Sequence, residues 1–274
     1  MARPVEKMPA EEPWIPDSAV SQEAEEESTL LRWVERPDGE LEQVELTLTP
    51  ELFLNPQLED KWLQGQAHDE TARELTDLLV RHFRPQPDVL VTHEMKHLFG
   101  RGLPAPAPDV SVIRGIRKRD ADRRSFSARK EGVVPCLVIE VVSPYSARIR
   151  RTDLERKVEA YERVGIYEYL IVDSPREAPS RWYSLLGYRL DAQGRYQPIK
   201  PDAEGRILSE TTDLWFQVSP DRSRILLFEH PSGRPLLTST ELEETVAREA
   251  EARKIAEAEL VRLQEEIERL RGPV

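Results

Sequence analysis

The chain has 274 residues, with 39 basic and 51 acidic side chains and a net charge of −12. Charged residues make up 33% against a usual ~25%, and hydrophobic residues 39%, which describes a packed core with polar attachments. That balance excludes a generally basic nucleic-acid coat protein, and the single cysteine, Cys136, excludes a disulfide framework or a multi-cysteine zinc site.

The charge is segregated. Residues 1–60 hold 4 basic and 16 acidic side chains, so the acidity belongs to the N-terminal part and the remainder is neutral overall. The first residues lack the apolar stretch of a secretory signal. No uncharged run approaches the ~20 residues of a membrane span. The expected compartment is the cytoplasm.

Residues 1–28, rich in Pro and Glu, read as a mobile acidic arm that buries too little to offset its ordering entropy. Residues 29–235 read as the main domain. Within it, 30–48 alternate around Pro37-Asp38-Gly39-Glu40, a hairpin pattern. Residues 66–83 place Ala72, Leu75, Leu79 and Phe83 at helical spacing, with His68 and His82 near the same face, and Pro85 ends the helix. Four strands follow, over 88–95, 109–113, 133–142 and 167–173. The third is almost wholly apolar, as a strand covered on both faces must be. A helix near 153–164 separates the last two, opened by the Thr152–Glu155 capping box and stopped by Gly165. Strand, helix, strand predicts a right-handed parallel crossover. Short β-like runs over 181–230 predict an antiparallel extension. Residues 236–274 form the last unit, a long helix over 240–271 with a coiled-coil seam at Leu260, Leu263, Ile267 and Leu270.

His93-Glu94-Met95-Lys96-His97 spells the zinc-protease signature H-E-x-x-H, which requires a helix to bring both histidines to one ion. The preceding Pro-Asp-Val-Leu-Val-Thr favours a strand, and on a strand the histidines stand ~13 Å apart. The match reads as coincidence.

Glu140 is more telling, because it lies inside Val138-Ile139-Glu140-Val141-Val142, where a bare carboxylate is costly unless a cation pairs it. Asp109 opens the neighbouring strand after a proline-rich approach, giving a candidate pair of oxygen ligands for Mg²⁺, with Mn²⁺ as the alternative. Val141, next to Glu140, is counted with them as a metal-site residue. At about 100° per residue, Lys157 falls in the same arc as Leu154, Val158 and Tyr161, the buried face of the crossover helix. An Asp, a Glu and a Lys together suit phosphodiester hydrolysis. Residues 114–130 carry 8 basic and 2 acidic side chains and 148–157 carry 5 and 2, so Arg114, Arg117, Lys118, Arg119 and Arg148 are candidate contacts for a polyanion.

Four motifs in order then carry a resemblance: Pro108-Asp109-Val-Ser-Val; Leu137-Val-Ile-Glu140-Val-Val-Ser143-Pro144; Asp153-x-x-x-Lys157-x-x-x-Tyr161; and Gly165-Ile-Tyr-Glu168-Tyr169-Leu-Ile-Val-Asp173. Over residues 45–230 the chain resembles the Uma-two-type bacterial restriction endonuclease family of the PD-(D/E)XK nuclease superfamily. The resemblance implies an α/β (mixed α+β) restriction-endonuclease-like fold, a central mixed sheet flanked by helices with the site at its edge. It places the superfamily's Asp on Asp109 and its Glu on Glu140. The superfamily's lysine would fall on Val142, and Lys157 of the helix takes its place. His68, on the first helix, joins as a further site residue.

The expected function is a Mg²⁺-dependent endonuclease acting on nucleic acid, with DNA ahead of RNA. The alternative is a catalytically silent nucleic-acid-binding or scaffold protein that assembles through its C-terminal helix. The seam predicts a homodimer.

Overall fold

The structure, a computed structural model, describes residues 29–47, 49–57, 60–62, 65–142, 152–174 and 182–271. The expected arm at 1–28 lies outside the described residues, as do Arg148 and the side chain of Thr152 that was to cap the crossover helix.

The chain opens with an antiparallel hairpin, β1 (Thr29–Glu35) and β2 (Leu41–Thr47), whose turn is closed by the Arg36 N–H on Glu40 O. A single helical turn follows, α1 (Pro50–Leu54). Thr49 caps it by accepting from Leu52 N at 3.2 Å, and Pro50 stands at its first position, where the missing N–H costs nothing. The two-residue β3 (Lys61–Trp62) pairs back onto β1.

Next comes α2 (Gln66–His82), which buries His68, Ala72, Leu75, Leu78 and Leu79 along one face. Spacing at three and four residues dictates that single stripe. The stripe and Phe83 pack on Val89, Val110, Val112, Leu137, Ile139 and Val141 of the sheet.

The sheet has six strands in the order β11–β10–β9–β8–β6–β4. They are β4 (Val89–His93), β6 (Val110–Arg114), β8 (Leu137–Val141), β9 (Glu168–Asp173), β10 (Ser184–Leu190) and β11 (Tyr196–Pro198). Only β8 and β9 run parallel; the other neighbours are antiparallel. The connection between β8 and β9 carries a π-type turn, Thr152–Arg156, that leads into α4 (Lys157–Val164). Gly165 ends α4 with φ +80°, a conformation that glycine adopts at least cost. Tyr161 of α4 packs on Val138, Val142, Tyr169 and Ile171, the face of the sheet opposite α2.

Two short strands, β5 (His97–Leu98) and β7 (Phe126–Ser127), pair in parallel beside the turn-like α3 (Ala128–Glu131). The region after β11 does not extend the main sheet. It forms its own antiparallel sheet, β12 (Ile207–Ser209), β13 (Leu214–Val218) and β14 (Ile225–Glu229), which adds Ile207, Leu214, Phe216, Ile225 and Leu227 to the α2 core. Glu168, fully buried, fastens the two together by accepting from Arg189, Ser209 and Thr211. The chain ends in α5 (Ser239–Arg271). Among the described residues no helix is long and apolar enough to cross a membrane.

Candidate active site

Strand direction decides where the site forms. β6 leaves Asp109 and β8 runs toward Glu140 in the opposite sense, with Val110 opposite Ile139. The start of one strand therefore lies beside the end of the other, and the two carboxylates meet. Asp109 Oδ2 accepts from Val141 N at 2.7 Å, and Asp109 N approaches Glu140 Oε2 at 3.4 Å. Residues 138, 140 and 142 share one face of β8 by the two-residue period, so Glu140 points toward α4. There its Oε1 meets Lys157 Nζ at 3.0 Å and accepts from the Tyr161 hydroxyl at 2.5 Å. Lys157 and Tyr161 are four residues apart, one above the other on the helix. The Lys157 ammonium also stands 4.1 Å from the centre of the Phe53 ring of α1, a cation–π contact.

The first turn of α2 supplies the other half. His68 Nε2 lies 3.3 Å from Asp109 Oδ1. Glu94, just past the end of β4, has φ +47°, and its N–H is bonded to Asp109 O. His68, Glu94 and Asp109 bring one ligand atom each to within 4.8 Å of one another. Asp69, His93 and Glu94 do the same, so Glu94 is common to both groups, and Glu140 is in neither. A divalent cation with ligands at ~2.0–2.4 Å fits a triangle of donors that close, so the residues present suit a metal. Burial pushes the Asp109 carboxyl up. The neighbouring His68, the Lys157 ammonium and the Val141 N–H outweigh that and hold it down to about 2, so it is ionised and ready as a ligand.

Asp109, Glu140, Lys157 and His68 are each no more than 7% exposed. Glu94 is exposed and marks the side on which the cluster meets solvent.

The sequence-derived residues thus separate. Asp109, Glu140, Lys157 and His68 come together. Val141 contributes its N–H to Asp109. Arg114 stands at the far end of β6 from Asp109, its guanidinium bonded to Thr211 O and Gln86 and stacked over Phe83. Arg119 is bonded to Arg84 O and Gln86 O, while Arg117 and Lys118 are exposed. The basic run therefore starts roughly 17 Å of strand away from the carboxylates, five steps at ~3.4 Å.

Sequence reasoning missed Tyr161 and Glu94. Tyr161 had a signal, four residues after Lys157. Glu94 had one too, in the H-E-x-x-H string. The string is not helical: His93 closes β4, Glu94 turns the chain with φ +47°, and His97 opens β5. His93 donates from Nδ1 to Asp109 O, while His97 is fully buried with Thr92 and Ser111. The glutamate between them is the residue that reaches the site.

A profile of the Uma2 family, described as "Putative restriction endonuclease", matches residues 51–221, well over half of the chain. The chain belongs to this family. The Uma2 match begins inside α1 and ends before β14, so it contains every residue of the cluster and leaves α5 outside. Among solved structures, a "putative nuclease belonging to DUF820" from Anabaena variabilis is similar at 17% identity, with a TM-score of 0.40, over 56% of this chain and 76% of that one. Comparison with curated proteins returns no match.

Proposed function

We propose that this Uma2 chain is a divalent-metal-dependent nuclease whose centre is Asp109, Glu140 and Lys157, completed by His68 and Glu94. The observation that carries the reading is the meeting of two buried carboxylates, a buried ammonium and a histidine at one end of the sheet. Buried charges of this kind are costly and gather where chemistry needs them. The description of the Uma2 family as a restriction endonuclease supports the same class of reaction.

Asp109, His68 and Glu94 would hold the cation. When bound, the cation would supply Lewis-acid stabilisation of the charge that grows on the attacked phosphate. Lys157, held at the cluster by Glu140, would bring its ammonium to a phosphoryl oxygen of the substrate. Tyr161 fixes the Glu140 rotamer. One imidazole among oxygen donors favours Mn²⁺ and its heavier neighbours over Mg²⁺.

A phosphodiester polymer needs more access than the buried cluster gives, and the exposed Glu94 marks the side from which it would approach. Calorimetric titration of Mn²⁺ and Mg²⁺ into wild type and Asp109→Ala, with plasmid DNA and single-stranded RNA cleavage alongside, tests the reading. The expected result is Mn²⁺ binding and cleavage in the wild type, with both lost in the variant. Metal binding without cleavage of either polymer would leave the alternative, a nucleic-acid-binding or scaffold protein, and no metal binding at all would overturn the metal site.

A further inference from the structure

The C-terminal helix α5 runs 33 residues and keeps its large apolar side chains in solvent: Leu242, Val246, Leu260, Leu263, Ile267 and Leu270 are 46–75% exposed. These residues recur at alternating steps of four and three, with Glu249, Arg253 and Ala256 filling the same series between Val246 and Leu260. That is one continuous a/d seam of a coiled coil. Ile255 and Val261 lie off it.

We propose that this face docks a second copy of the chain, seated antiparallel about a two-fold axis near Glu251. The seam reads Leu242, Val246, Glu249 and then Arg253, Ala256, Leu260. Turned end for end, it complements itself. Leu242 meets Leu260 of the second copy, Val246 meets Ala256, and Glu249 meets Arg253, each pair occurring twice. An isologous interface demands this self-complementarity, because the same patch must match itself reversed. A different partner would impose no relation between the two halves of the seam.

The charges select the direction. A parallel, in-register pair would stack Glu249 on Glu249 and Arg253 on Arg253 inside the seam, and like charges there are unfavourable. The antiparallel pair turns both into opposite-charge contacts. In the single chain Arg253 makes an exposed pair with Glu257, four residues on, at 2.7 Å, a weak contact that is readily exchanged. Ala250 and Ala252 flank the axis and permit close approach. On one flank Glu243 meets Glu257 of the second copy, the like-charge contact of this arrangement. In this register Leu263 falls opposite the first residue of the second copy's helix, and Ile267 and Leu270 extend beyond it. None of this rests on the chemistry of the nuclease cluster.

The test uses the full chain. Light scattering at micromolar concentration should give twice 31.6 kDa for the wild type. Arg253→Glu should weaken the dimer at least tenfold, and Glu249→Arg with Arg253→Glu should restore it. Orientation is read by cysteine pairing under mild oxidation, with the wild type and its Cys136 as the baseline. A mixture of Val246→Cys and Ala256→Cys chains should form an interchain disulfide that neither variant forms alone. Ala256→Cys crosslinking to itself would show parallel pairing and overturn the proposal. So would a monomeric mass, with circular dichroism confirming that the helix is intact.

Discussion

The Glu140–Lys157 pair sets up a measurable asymmetry. At 3.0 Å, two unit charges attract by about 5–6 kcal/mol at an effective dielectric of ~20. Both side chains are at most 3% exposed, so each has also lost its hydration, and the two effects largely cancel. Removing one partner exposes the imbalance. Glu140→Gln leaves the Lys157 ammonium buried without this carboxylate, and Lys157→Met leaves the Glu140 carboxylate beside that of Asp109. Each single change should cost about 3–5 kcal/mol of folding stability, the usual penalty for breaking a buried pair. The double variant should cost no more than about 2 kcal/mol, because both charges go together and methionine fills most of the volume of the lysine stem. Urea unfolding followed by far-UV circular dichroism in metal-free buffer at neutral pH measures all four proteins. A coupling energy of about 4 kcal/mol or more is expected. Additive single effects would show that the two groups do not share a buried interaction, and the reading of the cluster would fall.

Three further outcomes follow from local geometry. An added Cβ at Gly187 would stand 2.9 Å from Leu170 Cδ2 and 3.2 Å from Ile199 Cδ1, so Gly187→Ala should cost about 1–3 kcal/mol and lower Tm by several degrees in calorimetry; an unchanged Tm would show that the β10 face has slack. His97, fully buried between Phe99 and Phe126, is pushed by burial down to about 3 from 6.5. Between those values the unfolded chain takes up a proton that the folded chain refuses, so stability is whole above pH 6.5 and falls by about 1.4 kcal/mol per unit below it; His97→Gln should lose that slope between pH 6.5 and 5, and an identical slope in both proteins would exclude His97 as its source. Asp109 acts lower on the scale. Its carboxyl is held down to about 2, so its contribution, about 2 kcal/mol, is present above pH 4 and fades as the pH drops toward 2; Asp109→Asn should flatten that region of an acid unfolding curve.

Much of the fold was legible because its elements carry strong periodic signals. The α2 stripe, the apolar β8 run and the Gly165 stop each leave little choice of local structure, and together they require the parallel crossover between β8 and β9. What was not legible depends on pairing between distant segments. The runs after residue 200 have strand character, yet nothing local says that β12, β13 and β14 close into a sheet of their own. The single turn of α1 is too short for any period, and its importance comes only from Phe53 reaching Lys157. The site divides in the same way. Asp109 and Glu140 announce themselves by where they stand in the sequence, as acids at the edge of or inside apolar strands. Glu94 does not, because its placement follows from a left-handed turn at the end of β4, and that turn exists only in the folded chain.

The geometry also distributes the labour between the two carboxylates. Both were expected as metal ligands on equal terms, yet their surroundings differ. One Glu140 oxygen is engaged by Lys157 and Tyr161, so its charge is already answered within the protein. Asp109 gives one oxygen to the Val141 N–H and turns the other to His68, with Glu94 close by. A cation held by His68, Glu94 and Asp109 would leave the Glu140 oxygen that Lys157 and Tyr161 engage where it is. Under the proposed function the lysine would serve both Glu140 and a phosphate, and moving Phe53 off its ammonium would change both roles at once. If that is so, Phe53→Ala should alter metal affinity as well as turnover. A purely steric lid would alter turnover alone, and paired calorimetry and cleavage assays on that variant separate the two.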